Sequence, residues 1–245
     1  MDRKIVLITG VSREEGIGYG VAQKMIEQGF EVIITARAKE KAEALSKKLS
    51  TNGVSVDAEA LDIESEKSVS NLVNFISSQY EYLDILINNA GAGFDFGVHP
   101  LETDFDSTRK IFETNLFGAW RVIQRFYPLL KVADEPRIVN ISSGAGSFGD
   151  PQFGLGVHPA VVTSYGLSKL ALNGLTVKFN RQFQEAGKKI KINSVCPGFV
   201  ATYPGTAEMG ARPVAEAIDG IIWAATLPSD GPSGGFFRDK APLPW

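Results

Sequence analysis

Tyr165 and Lys169 stand four residues apart in the run Tyr165-Gly-Leu-Ser-Lys169. On a helix, positions i and i+4 share one face about one turn apart. A free tyrosine has a pKa of roughly 10, too high for easy proton exchange near neutrality. A neighbouring ammonium favours the phenolate and lowers that pKa. The pair could then serve as general acid in a reduction or general base in an alcohol oxidation. Tyr-x-x-x-Lys also arises on ordinary amphipathic helices, so its position matters. Here it follows a stretch, 142–164, that has five Gly, two Pro and no clear helical pattern. A loop of that length inside a compact domain is usually functional. It opens on Ser142-Ser143. A hydroxyl there could bind a carbonyl oxygen and steady a developing alkoxide.

A second constellation lies near the N-terminus. Thr9-Gly10-Val11-Ser12-Arg13-Glu14-Glu15-Gly16-Ile17-Gly18 links a short apolar run to a helical pattern. Its glycines permit a tight turn and close approach of a pyrophosphate, which the following helix N-terminus would attract. The plainer reading is a loop whose glycines serve only the turn. Cofactor choice falls where the second strand ends. An NAD site carries an acidic side chain there, but this chain has Ala36 followed by Arg37, with Arg13 as a second cation. Two guanidinium groups could clamp a 2′-phosphate by bidentate bonds, which points to NADP.

These residues need a scaffold, and the hydropathy pattern supplies one. Short apolar or β-branched runs at 5–9, 31–35, 54–60, 83–87, 137–141, 191–195 and 235–237 read as strands. Helical patterns fill 18–28, 39–50, 64–80, 104–130, 164–186 and 212–226. This alternation implies βαβ units. The expected fold is α/β, a Rossmann-type doubly wound parallel sheet of about seven strands with helices on both faces. The strand runs are nearly continuous in apolar residues, as in strands covered on both sides. Ligands of such sheets sit outside the carboxyl ends of the strands, where the 142–164 loop begins.

Composition narrows the function. The 245 residues are expected to form a single domain, with 44% hydrophobic and 22% charged residues and a net charge of −3. That balance gives no global pull toward nucleic acid or an anionic membrane. No run is long enough to span a membrane or to serve as a signal peptide, so the expected address is the cytoplasm. One cysteine (Cys196) and two histidines (His99, His158) point to no disulfide framework and no Cys- or His-based metal site. Cys196 reads as an inert small hydrophobe, His99 as surface, and His158 as a solvated loop residue.

Taken in order, the motifs resemble the short-chain dehydrogenase/reductase family. They are Thr9-Gly10 with Gly16-Ile17-Gly18, Asp62, Asn88-Asn89-Ala90-Gly91, Asn115, Ser142-Ser143, Tyr165 with Lys169, and Pro197-Gly198 with Thr202. The resemblance spans about residues 5–202. It implies that Tyr165 is the acid/base group and that Lys169 also binds the nicotinamide ribose. It assigns the substrate carbonyl to Ser143, leaving Ser142 structural. Asn115 resembles the family's holder of a proton-relay water, although a buried Asn bonded to backbone would look the same. Gly10, Ser12, Arg13, Gly16, Ile17 and Gly18 would hold the phosphate end of the cofactor. Asn89, Ala90 and Gly91 would pass beneath its adenosine half, and Asp62 with Ile63 would meet the adenine. Asp62 could equally cap the helix near Glu64. Pro197, Gly198, Val200 and Thr202 would border the nicotinamide. The tail, Gly231-Pro232-Ser233-Gly234-Gly235-Phe236-Phe237 ending at Trp245, resembles the carbonyl-reductase-like branch, whose members reduce aldehydes and ketones with NADPH.

Three features depart from the family pattern. The first Gly-rich spacing is longer, and Glu14-Glu15 would repel a pyrophosphate unless they face away from it. That spacing is similar to the enoyl-reductase branch, which places its Lys further along, at the position of Leu172 here. The 22 residues from Ser143 to Tyr165 also exceed the usual separation. After Thr202 little chain is left for a lid beyond 203–211, so an open pocket is expected. The competing functions are NADP-dependent alcohol oxidation, enoyl reduction and non-catalytic dinucleotide sensing. The partner is expected to be a small carbonyl or alcohol substrate, with monomer and homo-oligomer both open.

Overall fold

The computed structural model describes residues 3–50, 55–93, 95, 97–157 and 162–245. Its strands are β1 (Ile5–Ile8), β2 (Glu31–Ala36), β3 (Asp57–Ala60), β4 (Ile85–Asn88), β5 (Arg137–Ile141), β6 (Lys191–Val195), β7 (Phe236–Arg238) and β8 (Ala241–Pro242). They form one sheet in the order β3-β2-β1-β4-β5-β6-β7-β8. Every pairing is parallel except β7 with β8. The sequence reading of about seven parallel strands therefore lacks one strand, an antiparallel addition at the edge. It follows a turn in which Asp239 and Lys240 both adopt positive φ, 52° and 66°. That is the backbone a two-residue hairpin turn demands, and Asp239-Lys240 lacks the glycine that usually announces it.

Alternate residues of the central strands divide between two cores. Leu7, Ile33, Leu86, Ile138 and Ile192 face one side, against α3 (Glu66–Gln79), α5 (Ala119–Leu130) and α6 (Thr163–Glu185). Val6, Ile8, Ile34, Ile87, Val139 and Val195 face the other, against α1 (Ile17–Glu27), α2 (Lys39–Leu49) and α8 (Asp219–Ala225). With no face left to solvent, both sides of these strands must be apolar, which explains their unbroken hydrophobic runs.

Element boundaries differ most from the sequence reading in three places. The pattern at 104–130 divides into α4 (Phe105–Phe112), a π-helical stretch Glu113–Gly118, and α5. The pattern at 212–226 divides into α7 (Val214–Ala217) and α8. β3 starts at Asp57, and residues 51–54 of the longer run lie outside the described set. His158 also lies outside it. His99 is exposed.

Strand order reverses between β1 and β4, and both continue as parallel neighbours. Such a switch point leaves a crevice at the carboxyl ends of the two strands. The loops after β1, β4, β5 and β6 all leave from that edge.

Candidate active site

The Gly-rich loop is locked to the end of β4. Gly10 has φ +71°, and a Cβ there would lie 2.6 Å from Ala90 Cα. Gly18 admits no Cβ either, because Asn89 Nδ2 would stand 2.6 Å away. That amide donates to the carbonyls of Thr9 (2.8 Å) and Gly10 (3.1 Å), while Thr9 Oγ1 accepts the N–H groups of Asn89 and Ala90. Two of the glycines thus serve the packing of loop on loop, and Asn89 acts as the tie. α1 then begins at Gly16 with no side chain capping it. Ser12 is exposed, and Ile17 is partly buried. Glu14 is paired with Lys48 of α2, and Glu15 is exposed, which answers the repulsion their charges raised.

The two cations expected at a 2′-phosphate are placed differently. Arg37 is exposed at the end of β2. The Arg13 guanidinium carbon lies over the Tyr203 ring, 3.6 Å from its centroid, so it reaches the segment after β6. Asp62 does not cap a helix. Its Oδ1 accepts the Glu64 N–H (3.1 Å), while the cap of α3 is Ser65, whose Oγ accepts from Ser68. Ile63 is buried, and its side chain fills the space a Cβ on Gly118 would need.

The reactive set converges at the ends of β5 and α6. Ser142 is buried and donates to Asn173 Oδ1 (2.6 Å), in keeping with a structural role. Ser143 is partly exposed, accepts from the Ala145 N–H (3.2 Å), and shares a hydrogen bond with the Tyr165 phenol. Lys169 is buried in the next turn of α6, its ammonium 5.7 Å from the Tyr165 ring centroid. That ammonium donates to the Ile141 carbonyl at 2.8 Å. Gly91 lies beside it, since a Cβ there would stand 3.9 Å from Lys169 Nζ and 3.5 Å from Asn115 Oδ1.

Asn115 sits in the π-helical stretch, an irregularity that often marks a functional site. Both ends of its amide are engaged by the protein. Oδ1 accepts the Ala92 N–H (2.8 Å), and Nδ2 donates to the Ala92 carbonyl (3.1 Å) and to Ser168 Oγ (3.0 Å). The side chain thus ties the loop after β4 to α6. Pro197 and Val200 are buried, Gly198 takes φ +77°, and Thr202 is partly exposed. Arg212 fixes this stretch by donating to the Pro197 carbonyl (2.8 Å) and to Asp239 (2.7 Å).

Burial decides the two pKa values that matter. It pushes the Tyr165 phenol up, and the bond with Ser143 pulls the other way. The lowering that the Lys169 spacing suggests is outweighed, because burial raises the phenol. Burial also pushes Lys169 down to about 8. The unfolded chain holds that proton to about 10.5, so between pH 8 and 10.5 it binds more protons than the folded one. Stability therefore carries the full penalty of the buried charge below pH 8 and rises as pH climbs through that window. Lys169→Met is expected to stabilise the cofactor-free protein at pH 7 on the order of 2 kcal/mol, after loss of the bond to Ile141. Urea unfolding of both proteins from pH 7 to 10 checks this, with the difference shrinking toward pH 10.

Sequence reading missed four positioning groups, counting the Asp150–Arg238 pair as one. Asp150 is fully buried and paired with Arg238 of β7, and both press against Gly144 beside Ser143. Cys196 is not a bare hydrophobe, since its sulfur accepts from the N–H groups of Gly144 (3.1 Å) and Gly198 (3.4 Å) and from Arg238 (3.5 Å). Arg212 and Asp95 complete the four. Each works through a partner distant in sequence, and one chain read alone carries no signal for that.

A mostly parallel sheet with this switch point has the crevice of a dinucleotide-binding fold, and Ser143, Tyr165 and Lys169 gather at its carboxyl edge. The family model described as short chain dehydrogenase matches residues 4–209, and the chain belongs to that family. It is 30% identical to carbonyl reductase (NADPH) 1 of Sus scrofa, over 99% of this chain and 94% of that protein. It is 28% identical to a (+)-neomenthol dehydrogenase of Arabidopsis thaliana, over 97% and 96% of the two chains. A short chain dehydrogenase of Shigella flexneri, solved as a complex with NADP, shares the fold at TM-score 0.83 and 21% identity, over 98% of each chain. No helix among the described residues is long and apolar enough to cross a membrane.

Proposed function

We propose that the protein reduces a ketone or aldehyde to an alcohol with NADPH. The observation that carries this reading is the Ser143–Tyr165 hydrogen bond backed by the buried Lys169 ammonium. The residues present fit a nicotinamide dinucleotide. α1 opens without a side-chain cap, and Lys169 is a buried cation that donates to a neutral backbone carbonyl. Gly16, Ile17 and Gly18 would hold the pyrophosphate, and Lys169 the nicotinamide ribose. Arg37, with Arg13 once it leaves Tyr203, would take the 2′-phosphate. The cofactor supplies the hydride.

The chain's own part is proton transfer and orientation. Ser143 Oγ and Tyr165 Oη donate to the substrate oxygen and steady the charge that grows on it. Tyr165 Oη gives up its proton as the alkoxide forms. Lys169, kept charged at neutral pH, stabilises the phenolate left behind. The reverse reaction uses the same groups, and the names of the relatives span both directions. A cytoplasmic address belongs to the same proposal.

The reading is tested by following NADPH absorbance with a panel of activated ketones and aldehydes. Tight NADPH binding without turnover on any carbonyl would replace it with a dinucleotide sensor. For the cofactor, Arg37→Ala is expected to weaken NADPH about tenfold or more while leaving NADH nearly unchanged, since one charge-assisted phosphate contact contributes roughly 1.5–3 kcal/mol. Tighter binding of NADH than NADPH by the native protein would overturn the NADP assignment.

A further inference from the structure

Helix α6 carries Tyr165 in its first turn, where N–H groups have no partner within the helix. The residue at its N-cap position is Val162, which offers no side-chain acceptor. The missing acceptor comes from another loop. Asp95, on the segment after β4, accepts the Ser164 N–H on Oδ2 (2.6 Å) and the Tyr165 N–H on Oδ1 (3.1 Å). One carboxylate thus satisfies two consecutive donors at the positive end of a helix, the position where a negative charge is most favourable.

The same segment is fastened beside this contact. Val98 bridges to Val162, and Thr163 Oγ1 donates to the Val98 carbonyl (3.4 Å). Asp95 itself is held by the Val98 N–H, which donates to its carbonyl (3.1 Å). One helical turn further along, Asn115 joins the same loop to Ser168. The β4 loop therefore grips α6 at two heights, above and below Tyr165.

The geometry points to Asp95 as a positioning residue that caps α6 from a distant loop and fixes the backbone of Tyr165, so that the phenol meets Ser143 and Lys169. This rests on the reading of Tyr165 as the proton donor. Tyr165 Oη must lie within hydrogen-bond reach of both Ser143 and the substrate oxygen. A helix start that frays or turns moves the phenol by more than such a bond tolerates.

The experiment compares wild type, Asp95→Asn and Asp95→Leu as full-length proteins saturated with NADPH. Asn keeps an acceptor oxygen and ranks with Asp as a cap, whereas Leu keeps the bulk and removes the acceptor. The expected result is a kcat loss of about ten- to hundredfold for Asp95→Leu, with KM for NADPH within about twofold and substantial rescue in Asp95→Asn. The ring resonance of Tyr165, labelled at Cζ, is recorded on the same three proteins. It is expected to shift or split in Asp95→Leu and to stay near the native position in Asp95→Asn. An unmoved Tyr165 resonance in a folded Asp95→Leu overturns the inference, and so does unchanged kcat. Equal loss of kcat and cofactor affinity in both variants would mark a merely structural role and overturns it too. Absence of turnover in the wild type would instead defeat the reductase reading, and the resonance would then decide the inference alone.

Discussion

Tyr165→Phe is expected to lower kcat for ketone reduction by about 10²- to 10⁴-fold while leaving NADPH affinity within about twofold. Phe preserves the ring that packs beside Lys169, so α6 and its cation keep their places. What disappears is a single hydroxyl, the one that bonds to Ser143. Without it the substrate oxygen loses both its proton source and one of two donors. The pH dependence follows from the direction of the phenol's shift. Burial holds the phenol above its ordinary value, so it stays protonated across neutral pH. Reduction, which needs the acid form and the Lys169 charge, should be flat up to about pH 8 and fall above it as Lys169 loses its proton. Oxidation, which needs the base, should rise with pH through neutrality. Steady-state rates in both directions from pH 6 to 9 test this, and full turnover by Tyr165→Phe would remove Tyr165 from the mechanism.

Arg238→Met is expected to cost about 3–5 kcal/mol of stability. Asp150 has no solvent exposure, and Arg238 is its ion-pair partner. Burial pushes the Asp150 carboxyl up, but Arg238 and the N–H of Gln152 outweigh it and hold the group below its ordinary value. A depressed carboxylate contributes stability above its unfolded pKa and loses it as pH falls through the folded one. The single variant leaves a buried carboxylate without its counter-charge. Pairing it with Asp150→Asn removes that charge and is expected to restore about half of the loss. Urea unfolding at pH 7 measures both. A single variant within about 0.5 kcal/mol of wild type would show that the pair contributes little, as exposed pairs do.

The fold was legible because its strands are buried on both faces and its helices are long. Composition alone foretold that IVLI at Ile5–Ile8 and RIVNI at Arg137–Ile141 are strands. The break at Glu113–Gly118 was not legible, because a π turn inserts without disturbing the apolar stripe on either side. The positions of Ser143, Tyr165 and Lys169 followed from motifs that are local in sequence. Their electrostatics did not. The spacing of Tyr165 and Lys169 suggests a lowered phenol pKa, yet burial sets the direction instead. Arg13 shows the same limit. Its charge was visible, but its stacking on Tyr203 depends on where the segment after β6 comes to rest.

The antiparallel edge formed by β7 and β8 bears on how the protein keeps to itself. A parallel sheet that stopped at β7 would present a row of unpaired backbone groups next to Phe236 and Phe237, a template for another chain to zip onto. β8 covers that row with two residues, both exposed, and one of them is Pro242. A proline has no N–H to offer, and two residues are too short a ladder to recruit a neighbour. The small hairpin therefore seals one end of the sheet against edge-to-edge aggregation.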